Sequence, residues 1–600
     1  MSTSDRTAPP KKPTKSDKSS SNPRKTESAD IFGDESVAPL VDTGVGPGGH
    51  SQTERRAVTA AAFVFALGTF ASRILGLIRD RMTAQYFSPE IRDAFIVAFR
   101  LPNMFRRLLG EGALSVSMIP VLVELLTRKT SSDLDAEETR AAARRLVGSI
   151  FTLLLTITTS LSLLAVIFMD DIIRYMVSGE GYMSVPGKYE LTVDLARIMF
   201  GFLILITMYA FFMAILNSLR RFALAAVAPT MFNIAMISAA LLSREIATPE
   251  KVLAWSVIAG GFLQTAILIP SIVKAGYWPK LSFLWKVNGV WVPFWKVEEV
   301  RRVFKTIAPS LFGLSIVQFS GMISVYFASR LPQGSHFYLY CADRVLELPL
   351  SIFAVSVGSA ILPTLSAQWA RGDRDSMTST LSHSLRLIMF VALPSALGMF
   401  MLAQPITEVL FLGKEFKYQD ALATSEVIQV YSIGLLFTAT TRILAQGFYS
   451  MGNTWYPAMV GVITLIVHLI FSWAGTMTFG LKGLAAASIF SSGVNLVMLA
   501  VAYGRWVGPL GWPMIFGRLA RFSVAGAALV AGCLIYEPLI NELGSRFVSR
   551  TFALLVSILV GGGLYMAAAA AMGLDEYKET TARFLDKLIA KFRSLKRNRK

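Results

Sequence analysis

Two stretches of this chain are apolar enough to enter a bilayer yet carry more cationic charge than a lipid-facing helix tolerates. TFASRILGLIRDRMTAQYF and DAFIVAFRLPNMFRRLLGEGALSVSMIPVLVELL, separated by SPEIR, cover residues 69–126. They hold Arg73, Arg79, Arg81, Arg100, Arg106, Arg107 and Glu111. Arginine in hydrocarbon is costly, so such side chains face a bundle interior or a water-filled cavity. The chemistry they point to is non-covalent: an anionic substrate held inside the membrane. Arg100, Arg107 and Glu111 recur at i, i+7 and i+11 and share one helix face, and Arg107 and Glu111 can pair at i, i+4. An ion pair joining two helices is the plainer reading of that pair. Arg73 sits about five residues from the end of its run, within snorkelling reach of the interface.

A related pattern returns half a chain later. RLPQGSHFYLYCADRVLELPLSIFAVSVGSAILPTLSAQWA places Asp343, Arg344 and Glu347 early in a long apolar run that ends in ILPTL, where the first half has MIPVL. Arg344 and Glu347 can also pair locally at i, i+3. An offset of six spans between related stretches is what two six-helix lobes related by an axis along the membrane normal would produce.

Other chemistry is poorly supported. Cys341 and Cys533 are the only cysteines and give no disulfide framework and no zinc spacing. His50, His336, His383 and His468 form no local metal motif, so neither a metal nor a cofactor is expected. Asp170–Asp171 is the one tempting acidic pair for a membrane glycosyltransferase, and a solvated helix end explains it better.

The elements that must position the arginines follow from hydropathy. Hydrophobic residues make up 53% of the 600-residue chain, charged residues 16%, and mean hydropathy is +0.52, a membrane-protein composition. The net charge of +18 lies in short segments between apolar runs and in the tails. That is a topology signal and excludes nucleic acid as the partner. Residues 1–56 are polar and read as a disordered cytoplasmic tail. About fourteen apolar runs follow, near 58–78, 92–126, 146–169, 191–217, 222–242, 253–273, 303–329, 336–367, 386–403, 426–449, 456–475, 483–503, 518–538 and 551–572. The fold class is therefore an all-α polytopic membrane protein. It comprises a six-helix lobe over 57–275, an interfacial linker over 276–302, a second six-helix lobe over 303–505 and two additional helices over 506–573. A basic amphipathic tail spans 574–600. Arg128, Lys129, Arg144, Arg145, Arg220 and Arg221, with the LKRNRK end, place both termini in the cytoplasm. The second run is too long for one straight span: about 35 helical residues would measure about 52 Å against a core of roughly 30 Å. Pro102, Gly110 and Gly112 offer places to break it.

At ASRILGLIRD, DAFIVAFRLPNMFRRLLGEGA and YCADRVLELPL the sequence strongly resembles the MurJ (MviN) lipid II flippases of the multidrug/oligosaccharidyl-lipid/polysaccharide exporter superfamily, from about Ala60 to Gly573. The resemblance implies a V-shaped pair of lobes around a cationic cavity, with the two extra helices shaping a groove for a polyprenyl tail. It also implies a bacterial inner-membrane transporter, not an enzyme. Its cargo would be undecaprenyl-pyrophosphate-linked disaccharide-pentapeptide, its surroundings membrane lipid, and its partners in the cell would include cell-wall synthesis or division proteins. By motif position the cavity charges fall on Arg73, Arg79, Asp93, Arg106 and Arg344, with Asp80, Arg107, Glu111, Asp343 and Glu347 as supporting charges. Some family members are similar to sodium-coupled exporters with an acidic residue in the second lobe. The runs near 303–329, 456–475 and 483–503 hold no Asp or Glu here, only His468 and Asn495 as polar candidates, which puts that coupling in doubt. An exporter of another polyprenyl-linked glycan is the nearest rival. Export of cationic drugs would favour an acidic cavity.

Overall fold

A computed structural model describes residues 68, 71–108, 114–127, 133–219, 221–287 and 290–581. The 1–56 tail, Gly110, Glu111, Gly112 and everything beyond 581 lie outside the described residues.

The described residues are helical almost throughout, and an α-helix satisfies every backbone hydrogen bond within one segment, as hydrocarbon demands. Helix α1 covers residues 71–86, followed by α2 (Pro89–Phe105), α3 (Leu114–Thr127), α4 (Asp133–Ile167), α5 (Met169–Met176), α6 (Glu180–Met183) and α7 (Lys188–Met199). Next come α8 (Phe202–Ser218), α9 (Phe222–Leu242), α10 (Pro249–Ala266) and α11 (Ile269–Lys274). A hairpin of β1 (Leu284–Val287) and β2 (Val290–Pro293), antiparallel with Trp285 opposite Val292, leads into α12 (Glu298–Ala328). The second half continues with α13 (Ser335–Pro349), α14 (Val355–Ala370), α15 (Arg374–Met401), α16 (Ala403–Phe411), α17 (Tyr418–Ser450) and α18 (Trp455–Trp506). The last helices are α19 (Trp512–Cys533), α20 (Tyr536–Leu543) and α21 (Phe547–Ala571).

Ten of these segments are long and apolar enough to cross a membrane. Among them α18 reverses at Gly480, whose φ of 58° is open to glycine and strained for other residues. Gly475 and Gly483 then face each other so closely that a side chain on either would strike the opposite backbone. Counting α18 as two passes and adding α1, the broken α2–α3 and α12 recovers the fourteen runs legible in the sequence. The helices form two six-helix lobes followed by two further membrane helices. Buried apolar residues form two cores, one drawn from Phe87 to Val303 and the other mainly from Phe327 to Leu574. Ala84 of α1 packs into the second core and Val325 of α12 into the first, so each lobe lends a residue to its neighbour.

Within the described part of the second run, α-helical geometry gives way to a π turn. Helix α2 carries Pro102 and passes into a π turn over 106–108 that holds both adjacent arginines. The second half repeats the device: α13 ends at Pro349 and runs into a π segment over Leu350–Ala354. Proline removes a backbone donor and clashes with the preceding turn, and π bulges are frequent at functional sites. The corresponding stretches of the two halves thus share a shape as well as a charge pattern.

Candidate functional site

The arginines of α1, α2 and α13 converge between the lobes. Arg79, only 9% exposed, is pinned by neighbours from three helices. Its Nε and Nη2 donate to Asp80 Oδ1 (3.0 and 2.7 Å), its Nη1 to Asn233 Oδ1 of α9 (3.1 Å) and its Nη2 to Tyr340 Oη of α13 (3.1 Å). Asn233 in turn donates to the Ser72 carbonyl (3.0 Å). Tyr340 is the hub: its hydroxyl donates to Asp80 Oδ1 (2.8 Å) and accepts from Arg344 Nε (3.1 Å). Arg344 also lies 3.4 Å from Asp80 Oδ2 and donates to Glu347 Oε2 (3.2 Å). Glu347 reaches back across the lobes to Arg107 (3.3 Å). The structure thereby joins Arg79, Asp80, Arg344, Glu347 and Arg107 into one hydrogen-bonded chain.

The other candidates are placed as follows. Arg73 is exposed and donates through Nη1 to Ser351 Oγ in the second π segment. Arg106 donates to Asn103 Oδ1 (2.9 Å) on its own helix, one position from Arg107. Asp343, on the same helix as Arg344, lies in the field of Arg100 and Glu347. Asp93 stands apart from the arginine chain. It is fully buried, bound to the equally buried Lys188 of α7 (2.8 Å), and it accepts from the Gly334 and Phe337 amides (2.7 and 3.1 Å). A carboxylate at the start of α13 satisfies its free N–H groups and complements its dipole. Asp93 therefore ties α2, α7 and α13 together.

That junction is reinforced by Arg92, which sequence reasoning noted as a charge at the outer end and did not assign to the site. Its guanidinium lies between the rings of Phe337 and Phe416, with Cζ 4.9 and 5.1 Å from their centroids, and Nη2 donates to the Glu415 carbonyl (3.2 Å). Its Nε and Nη1 have no hydrogen-bond partner among the described residues, and the two aromatic faces attract the cation as a whole. Sequence reading also passed over Tyr340 and Arg442. Tyr340 lies one helical turn before Arg344, the spacing that lets the two side chains meet. Arg442, on α17, feels the charges of Glu347 and Arg107; a lone arginine inside an apolar run was the signal available. Among the described residues, Arg107, Arg442, Arg73, Arg79 and Arg344 share this region with Asp80, Glu347 and Asp343. A region with surplus guanidinium and few carboxylates attracts a multiply charged anion.

Beside this network lies a cavity of about 350 Å³ bounded by α2, α12, α13, α17 and α18, with Arg100, Tyr340, Asp343, His468 and Asn495 in its walls. His468 Nε2 lies 3.1 Å from Ser324 Oγ and 3.5 Å from Ser472 Oγ. No cluster of three or more His, Cys, Asp or Glu side chains that could hold a metal occurs among the described residues.

Comparison with known proteins gives a consistent picture. The family profile described as "Lipid II flippase MurJ" matches residues 83–557. A "Probable lipid II flippase MurJ" of Bdellovibrio bacteriovorus is 36% identical over 524 residues, 87% of this chain and 96% of the relative. A "Lipid II flippase MurJ" of Burkholderia cenocepacia is 30% identical over 472 residues, 78% of this chain and 88% of the relative. Among solved structures, one described as "Lipid II flippase MurJ, inward closed conformation" superposes with a TM-score of 0.68 at 23% identity, covering 85% of this chain and 99% of that one. An inward-facing multidrug resistance MATE family transporter of the MOP superfamily gives 0.60 at 12% identity, covering 75% and 94%.

Proposed function

The chain belongs to the lipid II flippase MurJ family, and from that premise we propose that it carries lipid-linked peptidoglycan precursor from the cytoplasmic to the periplasmic leaflet of the bacterial inner membrane. The observation that supports this reading best is the Arg79–Asp80–Tyr340–Arg344 network, which draws guanidinium groups from both lobes to one place. Transport breaks no covalent bond, so these residues need only bind and release.

Asp80 and Glu347 serve as internal counter-ions. A pyrophosphate offers several anionic oxygens to the same forks and binds them bidentately, more strongly where water is scarce. Arg79, Arg344, Arg73 and Arg106 exchange carboxylate, hydroxyl and amide partners for phosphate oxygens, with Arg107 and Arg442 adding to the positive field. The same contacts cross from α1 and α2 to α13, so loading the site alters what holds the lobes together. The lobes then rock, exposing the headgroup alternately to each face while the polyprenyl chain stays in lipid along α19 and α21. The Asp93–Lys188–α13 junction closes the opposite mouth. With both termini cytoplasmic, that mouth faces the periplasm, and cell-wall synthesis or division proteins receive the cargo there.

The test is transport by charge-removed variants. Arg344→Ala and Arg106→Ala proteins should insert and fold yet translocate at background rate, while Arg344→Lys, which keeps charge and loses the fork, should retain a small fraction. Normal translocation by Arg106→Ala would overturn the assignment.

A further inference from the structure

The cavity beside the arginine network is lined by chemistry that the pyrophosphate does not need. Its wall on α18 includes Thr464, His468, Ser488, Ser491, Ser492 and Asn495, and its wall on α12 includes Ser320 and Ser324. Neutral hydroxyl and amide groups dominate it, with Arg100 and Asp343 at the edge nearest the arginines. Arg100, Asp343 and Asn495 line it without a hydrogen bond or an ion pair within 4 Å to any described residue. Arg100 lies directly on Gly321, where any side chain would collide with it. A guanidinium, a carboxylate and a primary amide left open toward one cavity together supply donors and acceptors for a ligand.

Position narrows what that ligand is. Tyr340 lines the cavity while its hydroxyl bonds Asp80 and Arg344, so the cavity opens beside the place proposed for the pyrophosphate. About 350 Å³ is at the lower end for small-molecule sites. It suits one sugar ring and is too small for a whole disaccharide-pentapeptide. We propose that this cavity is a saccharide subsite: it takes the hydroxyl- and amide-bearing sugar attached directly to the pyrophosphate. Asn495 and the α18 hydroxyls hydrogen-bond the ring, and Arg100 and Asp343 hold it from opposite lobes. The subsite rests on the reading of the arginines as the pyrophosphate site. Through it the second lobe distinguishes a glycosylated carrier from the bare lipid pyrophosphate.

The experiment compares two probes on the full-length protein in detergent: lipid II, and undecaprenyl pyrophosphate with no sugar. Asn495→Ala removes an amide from the wall, and Ser491→Leu fills the space. Each should weaken lipid II binding about tenfold and leave undecaprenyl pyrophosphate binding within a factor of two or so. Retained binding of the sugarless probe shows that the variants are folded. Equal weakening of both probes, or no change in either for both variants, overturns the subsite. The parent reading fails separately, if Arg344→Ala leaves undecaprenyl pyrophosphate binding unaltered.

Discussion

Arg79 and Arg344 reach the same carboxylate from different lobes, and Tyr340 shares its hydroxyl among all three. A buried charge is tolerable only when paired and hydrogen-bonded, so removing the hub should be felt before any charge is lost. Tyr340→Phe is expected to lower transport severalfold while membrane insertion stays normal, because Asp80 and Arg344 lose a neutral bridge worth about 1 kcal/mol. Transport assays on reconstituted protein check this, and unaltered rates would remove Tyr340 from the mechanism. Asp93 makes a different prediction. Asp93→Asn leaves Lys188 without its ion-pair partner, a change that costs on the order of 3–5 kcal/mol in a buried pair. Pairing it with Lys188→Met should recover most of the loss in thermal melting, because no uncompensated buried charge is then left. The arginines were legible because their charge is out of place in apolar sequence. Tyr340, Asn233 and Ser351 were not, because a lone hydroxyl or amide in a membrane helix has no meaning until its partner is placed.

At the scale of elements, the interruptions are what place the site. The π turn after Pro102 and the π segment after Pro349 set Arg106, Arg107 and Ser351 where straight helices would not. Sequence showed that the second run had to break, since its length exceeds the bilayer, but proline alone did not reveal the π geometry. The reversal of α18 is similar: two apolar runs were legible, while their near-contact at Gly475 and Gly483 depends on tertiary packing. Gly483→Val should therefore lower thermal stability sharply and cut the yield of folded protein, whereas the same change at Gly493, which has open space around it, should be mild. The segment over 575–581 is helical and is held to α19 by Arg518, whose Nη2 lies 2.7 Å from Asp575. The Arg518 hydrogen bond, and then its charge, hold the Asp575 carboxyl below its usual range. A depressed carboxylate stabilises the docked form above its unfolded pKa, near 4, and the contact is lost as pH falls through the lower folded value. A spin label at position 578 should stay immobile at neutral pH and gain mobility only in strong acid; early release near neutrality would contradict this anchor.

For the whole molecule, the composition, the fourteen runs and the recurrence of charged, proline-broken stretches at the same place in each half pointed to a polytopic helical membrane protein and led to the expectation of a cationic interior between two lobes. The face-to-face arrangement of α2 and α13 was beyond sequence reading, because it rests on contacts between residues more than two hundred positions apart, such as Asp93 with Phe337 and Arg107 with Glu347. Those contacts divide into two sets: a buried junction around Asp93 and Arg92, and an arginine-rich chamber farther along the same helices. Such a division is what a carrier needs if one mouth is to be shut while a charged headgroup is received at the other. The most direct test is to deplete the protein from growing cells and measure how much lipid-linked peptidoglycan precursor becomes accessible on the outer leaflet, with re-expression of the native chain or of Arg344→Ala. The cationic-chamber mechanism requires outer-leaflet precursor to fall on depletion, to return with the native chain and to stay low with Arg344→Ala. Full recovery with the arginine-deficient chain, or undiminished outer-leaflet precursor after depletion, would contradict it.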